Sequence, residues 1–144
     1  MDEPRLTTGV FSSRTDEWAT PKATFDELDR EFNFTLDPCA TTENAKCAKF
    51  FTVEDDGLAQ SWSGERVFCN PPYSDIKKWV QKCYIESRDG TLIVLLMPAR
   101  TDTAAFHDYI YSKAEVRFLR GRLKFGDGKN SAPFPSMVVV FGGL

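Results

Sequence analysis

"TLIVLLMPA", residues 91–99, is the longest apolar run in the chain and the stretch on which the fold turns. It is dense in aliphatic and β-branched side chains with no polar alternation, as expected of a central parallel strand buried on both faces of a sheet. It is far shorter than the roughly 20 residues needed to cross a bilayer. Nor does the amino end carry the basic-then-apolar pattern of an export signal. We therefore expect a soluble, unexported protein with no membrane association.

Working outward, "ERVFC" (65–69) reads as a second strand of the sheet, and Ile76, Trp79, Val80 and Cys83 fit one face of a helix between the two. Further upstream, "ATPKATFDELDREF" (19–32) opens with Thr20 at a helix N-cap and Pro21 at the first helical position. Phe25, Leu28 and Phe32 then recur at helical spacing. "NFTLDPCA" (33–40) gives a short strand from Phe34 to Leu36 that ends at Asp37, since Pro38 opposes its continuation. "AKFFTV" (48–53) is another, and "EDDGLAQSWSG" (54–64) is a polar connection with turns at Asp56-Gly57 and Ser63-Gly64.

Downstream of the apolar run, "DTAAFHDYIY" (102–111) predicts a short helix with Phe106, Tyr109 and Ile110 inward. "EVRFL" (115–119) begins a strand, and two more, about Arg122 to Phe125 and Ser136 to Phe141, are expected to close the chain as an antiparallel hairpin. Strands alternating with helices make an α/β three-layer sandwich around a mostly parallel sheet. The 144 residues, 42% of them hydrophobic, suit one domain with a real core. We expect a loose amino arm over residues 1–17 and a single domain over residues 18–144.

Four cysteines without a C-x-x-C pairing and a single histidine, His107, suggest neither a zinc site nor a disulfide framework. The net charge of −3 argues mildly against coating nucleic acid by bulk electrostatics. Yet "EVRFLRGRLKFGDGK" (115–129) gathers Arg117, Arg120, Arg122, Lys124 and Lys129, a segment that would meet a polyanion or else simply form a solvated face.

Asp37-Pro38 and Asn70-Pro71-Pro72-Tyr73 both fall just past predicted strand ends, where open α/β sheets place a ligand crevice. Asp37-Pro38 taken alone is a common turn starter. The second motif is more specific. Asn70 offers a side-chain carbonyl and Pro71 a main-chain one, two acceptors suited to an exocyclic amino group, and Tyr73 could stack on the ring that bears it.

Asn70-Pro71-Pro72-Tyr73 matches the (Asp/Asn/Ser)-Pro-Pro-(Tyr/Phe/Trp) tetrad of amino-methyltransferases that use S-adenosylmethionine. With "DEWATPKATFDELDREFNFTLDPCATTENAKCAKFFTVEDDGLAQSW", "RFLRGRLKF" and "APFPS", the chain resembles the phage-type DNA N6-adenine methyltransferase family along nearly its whole length. The resemblance implies a reduced Rossmann-like methyltransferase domain in the cytoplasm, that of a bacterial host if the chain is phage or prophage encoded. It implies that Trp18, Thr20 and Pro21 border the methionine end of the cofactor and that Asp37 and Pro38 lie beside its amino-acid and ribose portions. Asp55 or Asp56 would accept from its adenine amino group under an apolar cover, Leu58. Asn70, Pro71, Pro72 and Tyr73 would receive an adenine flipped from DNA, whose amine takes the methyl group directly, with no metal and no covalent enzyme intermediate. Arg120, Arg122, Lys124 and Lys129 are the candidate contacts to the nucleic acid.

In place of the glycine-rich turn of larger relatives, this chain has "CATTENAKC" (39–47), so another backbone shape must admit the cofactor there. Target recognition would fall to the amino arm, to "DTAAFHDY" or to the loop "GDGKNSAPFP". The tetrad by itself also fits transfer to cytosine N4, RNA adenine or a protein glutamine, or a binding module that has lost catalysis. A homodimer is possible, but no stretch of the sequence indicates one.

Overall fold

The computed structural model describes residues 19–125 and 131–143. The expected amino arm, Trp18 and Lys129 lie outside the described residues. Strands β1 (Leu36–Asp37), β2 (Lys49–Phe50), β3 (Arg66–Cys69), β4 (Leu92–Pro98), β5 (Glu115–Phe118) and β6 (Ser136–Phe141) form one mixed sheet in the order β2-β1-β3-β4-β6-β5. The β2, β1, β3 and β4 pairings are parallel, whereas β6 runs antiparallel to both β4 and β5.

The apolar run forms β4, and every one of its side chains is buried. Only one of its neighbours is parallel, however: β3 pairs with it from Arg66↔Leu92 to Cys69↔Leu95, and β6 antiparallel from Ile93↔Phe141 to Pro98↔Ser136. An unbroken aliphatic run reports burial on both faces, and that burial is the same for either direction of the neighbour.

Alternation along the strands divides the core in two. On one face Val67, Cys69, Ile93, Leu95 and Val139 pack under Trp79, Val80 and Cys83 of helix α2 (Ile76–Glu86). On the other, Phe68, Val94, Leu96, Val138 and Val140 pack under Phe25, Leu28 and Phe32 of helix α1 (Lys22–Phe32). Phe25 meets Phe68 edge-on at 5.1 Å between ring centres, a favoured aromatic geometry. Helix α1 ends where Asn33 turns left-handed at φ 55°, its N–H bonded to the Asp29 carbonyl.

Three expectations are corrected. The α1 N-cap is Pro21, not Thr20, because the Thr20 hydroxyl bonds across the fold to Asn70. Arg122 to Phe125 is not a strand; β6 pairs with β5 and β4 instead, and residues 122–125 run irregularly beyond Gly121, which adopts φ 74°. A left-handed residue turns the chain out of ladder register. The predicted helix at 102–111 is a single π-helical stretch, Phe106–Ile110, that buries Phe106 and Ile110 and leaves Tyr109 half-buried.

Asp89 ties the start of β4 to the turn before β3. It accepts from Ser63 Oγ (2.6 Å), Thr91 Oγ1 (2.6 Å) and the Thr91 N–H (3.0 Å). These bonds, the one from Ser63 foremost, hold its carboxyl down to about 2 from an ordinary 3.8. A carboxyl depressed in the folded state stabilises the fold above its unfolded pKa and ceases to do so as pH falls through the folded one. Asp89→Asn is expected to lower the urea midpoint at neutral pH and to flatten its fall between about pH 4 and pH 2.

Candidate active site

Parallel pairing of β1 with β3, with Leu36 in register with Val67, makes Asp37-Pro38 and Asn70-Pro71 leave the sheet at the same edge. They meet there in a cleft of ≈ 230 Å³ that is open at its mouth. Among the residues singled out from sequence, Thr20, Asp37, Pro38, Asp56, Leu58, Asn70 and Pro72 line it. Asp55, Pro21, Pro71 and Tyr73 do not.

The segment that replaces a glycine-rich turn is braced by Asp37, which is 5% exposed. Its Oδ1 accepts from the Cys39 N–H (3.3 Å) and its Oδ2 from the Lys46 N–H (3.0 Å), closing residues 38–46 into a loop. Within that loop the Thr41 N–H donates to Asn44 Oδ1 (2.7 Å) and the Asn44 N–H to Thr41 Oγ1 (3.1 Å). Burial pushes the Asp37 carboxyl up, and the two amide donors oppose that shift. Both carboxylate oxygens therefore hold backbone, in a residue that borders the cleft.

The two acids of the pair part company. The Asp55 carboxylate accepts from the N–H and hydroxyl of Thr52 and so closes its own turn. Asp56, left-handed at φ 57°, borders the cleft. Gly57 follows it, and a side chain there would drive its Cβ into the Pro38 carbonyl oxygen. Trp62, which is fully buried, donates from Nε1 to the Gly57 carbonyl (3.0 Å) and stacks on Trp79 at 6.3 Å.

On the opposite wall, Asn70 Nδ2 donates to Thr20 Oγ1 (2.8 Å), and the Tyr73 hydroxyl donates to Asn70 Oδ1 (3.1 Å). Thr20 is 5% exposed and Asn70 is half-buried, so this is a part-buried contact between residues far apart in sequence. Burial raises the Tyr73 phenol above its ordinary value, which keeps the proton on the oxygen at neutral pH. The Tyr73 ring meets Phe134 edge-on at 5.4 Å, and the Arg100 guanidinium lies 6.0 Å from the Phe134 ring.

Sequence reasoning missed Lys46, Asn44, Val53 and Asp75 as lining residues, and it read Trp79 as core alone. The first four sit on no periodic pattern that would mark them, and the helical spacing of Trp79 marks it as core. Among the described residues no group of histidine, cysteine and carboxylate side chains could hold a metal ion, and no helix is long and apolar enough to cross a membrane. Cys69 is wholly buried with its thiol pushed well up, and burial takes Cys47 to about 12. Neither is a thiolate at neutral pH. Of the basic residues, Arg120, Arg122 and Lys124 are exposed, whereas Arg117 is held by Glu31 through both terminal nitrogens (2.7 Å each) and by Glu115.

A sequence model of the family described as DNA N-6-adenine-methyltransferase (Dam) matches residues 7–141. The DNA N-6-adenine-methyltransferase of Haemophilus phage HP1 (strain HP1c1) is 30% identical over 135 residues, 88% of this chain and 78% of that protein. The DNA N-6-adenine-methyltransferase of Escherichia phage T1 is 31% identical over 110 residues, 75% of this chain and 46% of the phage protein. The chain belongs to the DNA N-6-adenine-methyltransferase (Dam) family.

Gly57 joins the two halves of the cleft, so its substitution reads out their coupling. Gly57→Ala is expected to destabilise the protein by about 1–3 kcal/mol in urea unfolding. It should also speed hydrogen exchange at the Lys46 amide, which the displaced Pro38 segment carries with it.

Proposed function

We propose that this cleft binds S-adenosylmethionine and that the Asn70–Tyr73 turn presents an adenine of DNA to it for methylation at N6. Membership of the Dam family makes the chain an adenine-specific DNA methyltransferase, and methyltransferases in general draw on that donor. The observation that carries the site is the meeting of Asn70 and Pro72 with Asp37 and Asp56 around one opening. Among the described residues its charged lining consists of Asp37, Asp56 and Asp75 against one cation, Lys46. An acidic lining suits a sulfonium cation that also carries an ammonium group, and Lys46 suits its carboxylate.

The cofactor supplies an electrophilic methyl carbon when bound. The chain's own residues do the rest. Loop 38–46 and the Gly57 turn form the walls against which the cofactor lies, with Asp56 as the acid that accepts from its adenine and Leu58 as the apolar cover. Asn70 Oδ1 and the Pro71 carbonyl accept from the target amine. Drawing its two hydrogens to one side pyramidalises the nitrogen and frees a lone pair otherwise delocalised into the ring. An amine so held would take the methyl group that the cofactor supplies, with the carbon–sulfur bond breaking as the carbon–nitrogen bond forms, and its surplus proton would leave to water. Tyr73 stacks on the adenine once its ring leaves the edge of Phe134. Arg120, Arg122, Lys124 and Lys129 would meet the backbone phosphates, with Arg117 spent on Glu31.

Incubation with methyl-labelled S-adenosylmethionine and DNA, followed by nucleoside mass analysis, should yield N6-methyladenine. Label in cytosine alone would overturn the reading. Asn70→Ala is expected to lower turnover by roughly 100-fold or more while calorimetry finds cofactor affinity little changed. Asp56→Asn should do the reverse, weakening cofactor binding by roughly tenfold with a smaller effect on turnover at saturation.

A further inference from the structure

We propose that Arg100 is a DNA-phosphate contact, holding the strand that carries the target adenine beside Tyr73. The proposal deepens the function given above and rests on it. Sequence reasoning placed the phosphate contacts within residues 120–129 and left Arg100 out, since one arginine after an apolar run has no pattern to mark it. The order and direction of the strands supply what the sequence lacks.

Strands β1, β3, β4 and β5 all run the same way, because β6 is antiparallel to both β4 and β5. Their carboxyl ends leave the sheet at one edge, and strand order arranges the side chains along it. Asp37 ends β1, Asn70 follows β3, Arg100 lies two residues past the end of β4, and Arg120 lies two past the end of β5. That edge runs from acid through the Asn-Pro-Pro-Tyr turn to base. Phosphates are repelled where Asp37, Asp56 and Asp75 line the cleft and drawn toward the other end. Asn70 and Tyr73 stand at the change of sign, so a strand lying over Arg100 brings a base to them without laying its backbone across the acids.

Contacts tie Arg100 to the turn. Its guanidinium lies 6.0 Å from the Phe134 ring, and that ring meets Tyr73 edge-on at 5.4 Å. The Ala99 N–H donates to the Pro135 carbonyl (2.9 Å), which fixes the backbone before Arg100 against the segment that carries Phe134. From the other side Arg122 Nη1 donates to the Ala132 carbonyl (3.4 Å), so residues 131–135 are flanked by a cation from each neighbouring strand end. Arg100 is exposed, and among the described residues no carboxylate forms an ion pair with it. Arg117 is the contrast. It also lies over a ring, Phe32 at 5.3 Å, but Glu31 and Glu115 already neutralise it. A guanidinium braced against a ring, open to solvent and without a counter-ion keeps its charge and its donors for an incoming phosphate.

The rival role is packing alone, with Arg100 serving only to hold Phe134. Arg88 is the matched control: it is exposed, its guanidinium lies 5.9 Å from the Tyr84 ring, and no carboxylate pairs with it among the described residues, yet it precedes β4 and so sits at the opposite edge.

The test measures DNA binding against salt. With a fluorescent, adenine-containing duplex, Arg100→Gln is expected to reduce the slope of log K against log salt by about 0.9, the counter-ion release of one phosphate, and to raise Kd by roughly threefold to tenfold at physiological salt. KM for DNA should rise in parallel, while kcat and the calorimetric affinity for S-adenosylmethionine change by less than about twofold, as for an interaction shared by ground and transition states. Arg100→Lys, which keeps the charge, should retain the wild-type slope, and Arg88→Gln should leave it unmoved. An unchanged slope in Arg100→Gln would overturn the assignment; a melting temperature lowered equally by Gln and Lys would then give Arg100 to packing. An equal loss of slope in Arg88→Gln would reduce the effect to net charge and refute it too.

A second arm locates the contact. On a duplex whose methylated adenine has been mapped, a neutral methylphosphonate beside that adenine should weaken wild-type binding and add no more than about twofold to the loss in Arg100→Gln. Full additivity would put the contact elsewhere and sink the proposal. A wild-type protein that bound DNA without methylating adenine would count against the proposed function, and the salt slopes would still decide whether Arg100 meets a phosphate.

Discussion

Strand β4 offers water neither a face nor an edge, and the rest of the domain is arranged to keep it so. Its backbone bonds to β3 on one side and β6 on the other, and its alternate side chains enter the two halves of the core. Burying such a strand requires a helix layer over each face, which the chain supplies with α1 and α2. The parallel pairings then follow one another through β3, β1 and β2, so three successive strand ends open onto a single edge. The cleft sits at that edge because backbone leaving a sheet there has carbonyl and amide groups no longer committed to the ladder.

Close approach in the cleft is reached without a glycine-rich turn. Asp37 gathers residues 38–46 by accepting two of their amides, and a single glycine, Gly57, arrives from the neighbouring connection to lie against Pro38. The carboxylate thus does for this loop what hydrogen bonds within a tight turn do elsewhere. Trp62 and Trp79 support the contact from below, coupling the cleft wall to the core under α2. A buried carboxylate with two amide donors remains costly to charge, as its raised pKa records, and the loop it organises is the compensation.

Much of the architecture was legible because it rests on periodicity. Phe25, Leu28 and Phe32, or Trp79, Val80 and Cys83, recur at helical spacing whatever surrounds them, and all are buried. The hairpin partner was misread for a related reason: "RLKF" alternates as a strand should, but alternation carries no information about the left-handed Gly121 that throws residues 122–125 out of the ladder. "EDDGLAQSWSG" looked like a polar connection and contains a fully buried tryptophan, since one large side chain among polar neighbours has no period to reveal it.

The sequence by itself determined the chemistry available: a turn that two prolines cannot let relax, an amide and a phenol three residues apart, and acids placed just past strand ends. Those are properties of residue types and short spacings, so they can be read without a fold. Which acid of Asp55-Asp56 borders the cleft, whether Arg117 is spent on Glu31, and what Thr20 holds were decided only in three dimensions. Each depends on a partner 30 or more positions away or on the direction of a side chain. Such contacts exist only after β1, β3 and α1 have packed, and no local pattern encodes them.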